Sequence, residues 1–97
     1  MHRTNRRFWR CYYALPPEIQ RVADQSFASL QRDTRHPSLN FKKTGKVWSV
    51  RVGIHHRALA VSDPTGFLWV WIGTHAEYDR LIMGQQRAEL YVASRRK

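Results

Sequence analysis

The sequence predicts an α+β domain, a small antiparallel β-sheet with helices packed on it. Three observations carry that reading. Apolar residues recur at helical spacing over residues 19–30, a period of two begins at Val47, and turn chemistry at Gly53 and at Asp63-Pro64-Thr65-Gly66 cuts the second half into short strands.

Taken in order, Phe8 to Leu15 is rich in aromatics and closed by Pro16-Pro17, which reads as a strand or extended segment. The prolines are barred from a helix interior but suit its first turn, and Glu18 favours the positive end of the helix dipole. Ile19, Val22, Ala23, Phe27 and Leu30 fall on one side, with Gln20, Arg21, Asp24, Gln25 and Arg32 on the other. This predicts an amphipathic helix to about Arg32 that covers a sheet face. Asp33 to Ser38 is loop chemistry, with Pro37 biasing His36 away from helical geometry. Trp48, Val50 and Val52 alternate with Ser49 and Arg51 as in a half-buried strand, and Arg57 to Val61 forms the next. After the type I turn at residues 63–66, Phe67 to Ile72 is apolar on both faces and predicts a central strand covered on both sides. Thr74 and Glu77 have capping-box spacing, with Tyr78, Leu81 and Ile82 as the buried side of the helix they start. Beyond Gly84 the pattern weakens, and Leu90-Tyr91-Val92 offers a last apolar segment. Residues 1–97 are thus expected to form a single domain, with basic tails at 1–7 and 93–97.

The composition narrows the function. Hydrophobic residues make up 42% and charged residues 25%, too apolar a balance for a chain that stays disordered. The longest uncharged apolar run, Phe67 to Ile72, is far short of the roughly 20 residues that span a bilayer. A lone cysteine, Cys11, excludes an internal disulfide framework and a multi-cysteine metal site, and fits a cytoplasmic location. The net charge is +10, and the cations are 13 Arg to 4 Lys. Arginine offers a planar fork that matches phosphate, so nucleic acid is the leading partner. Between Thr34 and Ser62 there is no carboxylate, while Arg35, Lys42, Lys43, Lys46, Arg51 and Arg57 all fall there.

Two places could hold chemistry. In the hairpin between Val50 and Leu59 the loop length decides which residues share a face. A loop of Gly53-Ile54-His55, or of Val52 to His56, sets Arg51 opposite Arg57 with Cβ atoms about 5 Å apart. A two-residue turn puts them on opposite faces, where each is an ordinary surface residue. The second place is His75, at the first position of the proposed helix, where backbone N–H groups favour a phosphate and an imidazole can move a proton near neutral pH. Glu77 and Asp79 either orient His75 or simply feed the helix N-terminus. Tyr78 is core or catalyst. A metal is not expected: His55, His56 and His75 lack the spacing of a zinc motif, and adjacent histidines do not converge easily on one ion. No cofactor is expected either. The four tryptophans, Trp9, Trp48, Trp69 and Trp71, read as core by their placement in strands, and any exposed one could stack on a base.

The ordered series His36-Pro-Ser-Leu39, Phe41-Lys-Lys43, Trp48-Ser-Val-Arg-Val-Gly53, Arg57-Ala-Leu59 and Trp71 to Leu81 resembles toxins of the RelE/ParE superfamily of bacterial type II toxin–antitoxin systems, with RelE- and HigB-like members nearest. The resemblance spans roughly Leu15 to Ile82. It implies a ribosome-dependent, metal-independent endoribonuclease that cuts mRNA in the decoding site, and a cognate antitoxin protein that blocks the active face. By position, Arg51 and Arg57 match the basic residues that hold the scissile phosphate, and His75 matches a general acid or base. Tyr78 is the nearest equivalent of a tyrosine that orients substrate. Lys42 and Lys43 match basic positions entering the second strand, and Lys46, His55 and His56 complete the set assigned to RNA or phosphate. Two departures stand out: Ser49 occupies a position where RelE has a further catalytic lysine, and a single helix is read before the sheet where many members have a helical hairpin. The same fold in ParE relatives inhibits DNA gyrase, so a non-enzymatic gyrase inhibitor or a degenerate RNA-binding toxin is the rival reading.

Overall fold

The computed structural model describes residues 2–83. Strands β1 (His2–Thr4), β2 (Lys42–Thr44), β3 (Val47–Val52), β4 (His56–Asp63) and β5 (Gly66–Thr74) form one sheet in the order β1-β5-β4-β3-β2. Helices α1 (Arg6–Tyr13) and α2 (Pro17–Arg32) precede β2, a short 3₁₀ turn spans Pro37–Leu39, and a further helix, α3, is described over residues 75–83. The sheet is mixed rather than purely antiparallel, because β1 runs parallel to β5. Residues 2–4, read from sequence as part of a tail, are that added strand. Arg3 pairs with Asp63 in the β4–β5 turn and pins it there, while Asp63 also accepts from the Thr65 N–H at 2.8 Å. These contacts hold the Asp63 carboxyl at about 2, first through the Thr65 hydroxyl and then through Arg3.

The segment expected to be a strand at Phe8–Leu15 is instead helix α1. Asn5 is its N-cap and its side chain accepts from the Phe8 N–H at 2.9 Å, a signal that lies outside the aromatic run. Helical spacing then stacks Phe8 near Tyr12 (6.4 Å between rings) and Trp9 near Tyr13 (5.9 Å), so the aromatics are satisfied without a sheet. The Tyr12 hydroxyl donates to Asp24 at 2.8 Å and ties α1 to α2. A helical hairpin therefore does precede β2, correcting the reading of a single helix.

The sheet separates two cores. Under α1 and α2 lie Ala23, Leu30, Leu39, Val50, Val52, Ala58, Ala60, Trp69 and Ile72, with Phe8, Tyr12 and Trp48 packed against them. Under α3 lie Val47, Leu59, Trp71 and Tyr78, with Ile82 beside them. Trp69 and Trp71 have the same parity in sequence, yet they sit in different cores. The cause is an irregularity between Leu59 and Ala60: Leu59 pairs with Trp71 but Ala60 with Trp69, so β5 holds one extra residue and its side chains change face. Strand β5 is thus covered on both sides, as expected. Leu81, expected on the buried side of α3, is exposed; Tyr78 and Ile82, one turn apart, carry that contact. Trp9, read as core, is 40% exposed because it lies on the outer side of a helix rather than in a strand. The segment 90–92 and the tail 93–97 lie outside the described residues.

Candidate active site

The loop between β3 and β4 is Gly53-Ile54-His55, since Val52 pairs with His56. Gly53 has φ +64°, a left-handed conformation that a side chain would strain, and a Cβ there would also meet Val22 Cγ1 at 3.3 Å. This odd loop sets Arg51 directly opposite Arg57, the first of the two arrangements weighed from sequence. Both arginines therefore occupy the α3 face of the sheet. They differ in environment, for Arg51 is exposed while Arg57 is only 6% exposed.

Arg57 is the unusual member. Its Nε and Nη1 atoms are buried with no hydrogen-bond partner among the described residues. Its guanidinium carbon sits 5.2 Å from the centre of the Tyr78 ring. Such a cation–π contact contributes about 0.5–2 kcal/mol, less than the several kcal/mol that a buried unpaired ion costs. Packing stability does not account for this arginine. Opposite Arg57 on β5 is Gly73, and the missing side chain there leaves room for the Trp71 ring, which a Cβ would strike at Cζ2 and approach at Cη2 to 2.9 Å. Tyr78 thus backs the guanidinium, while the Trp71 ring covers Gly73 on the neighbouring strand.

Tyr78 connects this pair to His75, whose ring centre is 6.0 Å from its own. Helix α3 starts with the expected capping box: Glu77 N–H donates to the Thr74 hydroxyl at 3.1 Å, and Thr74 N–H donates to Glu77 at 3.0 Å. The Thr74 N–H and then the Thr74 hydroxyl, which donates to the same Glu77 oxygen at 2.8 Å, pull the Glu77 carboxyl below its ordinary range. Glu77 is therefore a cap, and Asp79 is the residue that reaches His75, with 3.1 Å between Oδ2 and Nδ1. The His75 N–H donates to the His55 carbonyl at 2.7 Å. That backbone group is consequently not available for phosphate, which alters the expected role of the helix terminus. What remains at His75 is the half-exposed imidazole, with Nε2 facing away from Asp79's hold on Nδ1.

The register sorts the remaining basic residues. Lys42 pairs with Ser49 and shares the face of Arg51 and Arg57. A cation thus stands beside the serine that replaces the expected lysine, one strand over. Ser49 itself is completely buried, and its hydroxyl has no partner among the described residues. Lys43 pairs with Trp48 and His56 with Val52, which turns both to the α1/α2 face. Burial lowers the pKa of His56, with the neighbouring His55 adding to the effect. Lys46 lies in the β2–β3 turn, five residues from Arg51 along β3, or about 16 Å in extended chain. His55 contributes its carbonyl to α3. The structure therefore groups Arg51, Arg57, Tyr78, His75 and Lys42, and leaves Lys43, Lys46 and His56 outside. Among the described residues, no group of three or more His, Cys, Asp or Glu could hold a metal ion. No described helix is long and apolar enough to cross a membrane.

This mixed sheet with its helices is the fold of RelE toxins. It superposes on a RelB–RelE antitoxin–toxin complex from Methanococcus jannaschii with TM-score 0.63 at 14% identity, covering 80% of this chain and 96% of that one. A second match, the RelBE2 toxin–antitoxin complex from Mycobacterium tuberculosis, has TM-score 0.59 at 19% identity and covers 77% and 96%. No functionally curated protein matches the sequence. A family model described as a ParE-like toxin domain matches residues 17–80. The chain belongs to that family, and so to the RelE/ParE superfamily of toxins.

Proposed function

We propose that this toxin is an mRNA endoribonuclease that acts on translating ribosomes and is held in check by a cognate antitoxin. The observation that supports the reading most strongly is the Arg51–Arg57 pair, in which one guanidinium is buried without an anionic partner among the described residues. Two neighbouring cations repel unless an anion lies between them, and the phosphodiester is the anion that the basic face of Lys42, Arg51 and Arg57 would attract.

The reaction is attack of a ribose 2′-oxygen on the adjacent phosphorus, with cleavage of the bond from phosphorus to the 5′-oxygen. The products are a 2′,3′-cyclic phosphate and a 5′-hydroxyl. Charge grows on the non-bridging oxygens, where Arg51 and Arg57 neutralise it, an effect typically worth about 10² to 10³ in rate per donor. One proton leaves the 2′-hydroxyl and one reaches the 5′-oxygen; His75, oriented through Nδ1 by Asp79, moves one of them. Tyr78 fixes Arg57 from beneath. The two structurally similar toxins were both determined in antitoxin complexes, which supports an antitoxin partner for this chain as well.

Mapping mRNA 5′ ends after induction, with and without ribosomes, tests the proposal. Codon-phased cuts that disappear in Arg51→Ala and Arg57→Ala are the expected result. Retained growth inhibition in both variants would end it, and a DNA-damage response without cuts would assign the chain to gyrase inhibition instead.

A further inference from the structure

We infer that the outer side of α1 is an accessory binding surface for single-stranded RNA, separate from the cleavage site. The inference extends the nuclease reading by assigning where the substrate strand is held away from the scissile bond. Residues three and four apart share a helix face, so Arg6, Trp9, Arg10 and Tyr13 form one stripe along α1. All four are exposed, Tyr13 by 70%. The inward residues Phe8, Cys11 and Tyr12 pack against the core, and so fix which side points out.

The stripe alternates cation and aromatic. Among the described residues, neither Arg6 nor Arg10 has a carboxylate partner, and α1 contains no acidic residue. Trp9 is held in place, with its indole N–H donating to the Thr4 hydroxyl at 2.7 Å and its ring 5.9 Å from that of Tyr13 at a tilt of 32°. Large rings kept at the surface in a fixed pose, with guanidiniums on either side, match unstacked bases joined by phosphates. A duplex hides its base faces, so it would use the arginines but not the rings. Helix α1 packs along β5 on the side of the sheet opposite to the Arg51–Arg57 pair, which puts the outer stripe and the pair on the order of 20 Å apart across helix and sheet. An RNA strand that reaches both places passes round the edge of the sheet.

The test uses the full chain and a fluorescent oligoribonucleotide of about 12 residues with 2′-O-methyl riboses, which cannot be cleaved. Trp9→Ala and Tyr13→Ala should each weaken binding by about 5- to 150-fold. Arg6→Gln with Arg10→Gln should lower the salt dependence by about 1.4 in the log–log slope, the value for two phosphate contacts on a single strand. Trp9→Phe should keep most of the affinity, which separates lost stacking from a fold defect. Unchanged binding in the alanine and glutamine variants overturns the inference. So does equal affinity for a duplex, stronger binding to phosphatidylglycerol vesicles, or variants that keep RNA affinity but are no longer neutralised by the antitoxin. Because the probe is not cleaved, these outcomes are independent of whether Arg51→Ala and Arg57→Ala lose activity.

Discussion

The face of the sheet under α1 and α2 and the face under α3 are built by alternate residues of the same strands, yet they hold very different material. Val50, Val52, Ala58 and Ala60 point to the first face and meet apolar side chains from both helices. Ser49, Arg51 and Arg57, their immediate neighbours in sequence, point to the second, where Arg57 and Ser49 carry buried polar atoms without partners among the described residues. The first side buries the larger apolar core, and the second holds, beside its smaller core of Val47, Leu59, Trp71 and Tyr78, groups that burial disfavours. The contrast teaches that a domain this small keeps its strained chemistry only because the opposite face can compensate.

A pair of substitutions breaks the comparison most directly. Replacing Arg57 by Leu removes a buried ion that has no partner among the described residues and should leave the melting temperature unchanged or higher, while RNA cleavage falls by about 10² or more. Truncating Leu30 to Ala on the other face should do the opposite, with about 2–5 kcal/mol lost in chemical denaturation and normal cleavage under conditions where the protein stays folded. If Arg57→Leu proves as destabilising as Leu30→Ala, the guanidinium is a structural element and the asymmetry is false.

A smaller effect is expected at Gly73, which pairs with Arg57 and is covered by the Trp71 ring. Gly73→Ala would force Trp71 off its position and overpack the site by about 1–3 kcal/mol. Near-ultraviolet circular dichroism of the displaced tryptophan, together with urea denaturation, checks this. The last and smallest test is pH. His56 and His2, both in contact with the α1/α2 face, have pKa values lowered first of all by burial, so the folded chain binds fewer protons than the unfolded one. Their contribution is complete above the ordinary histidine value of 6.5 and is lost progressively as pH falls below it. Asp63 works in a different window: its stabilising contacts are present above 3.8 and fade as pH approaches about 2. Stability measured between pH 7.5 and 5.5 should therefore decline, and less so in His56→Gln; an equal decline in that variant would remove His56 as a cause.

Much of this was legible from the chain. Pro16-Pro17 and the 19–30 period give α2, the Thr74–Glu77 spacing gives the start of α3, and hairpin parity at Gly53 leaves two arrangements of Arg51 and Arg57, of which the structure has the paired one. These signals are local, because capping, helical period and hairpin parity depend on residues within a few positions of one another. The α1 segment misled because its aromatics suit a strand as well as a helix, and the deciding group, Asn5, precedes them. The α1 stripe would have been visible had Arg6, Trp9, Arg10 and Tyr13 been placed on a helical wheel.

By itself, then, the sequence determined the charge, helix α2, strands β3 to β5 and the start of α3, and it narrowed Arg51 and Arg57 to two arrangements. Only the tertiary structure decided that β1 joins β5, that an irregularity beside Leu59 splits Trp69 from Trp71, that Lys42 stands next to Ser49, and that Arg57 is buried against Tyr78. Each of those depends on strands brought together from distant parts of the chain, and register between such strands is set by the packing of whole faces rather than by any short run of residues.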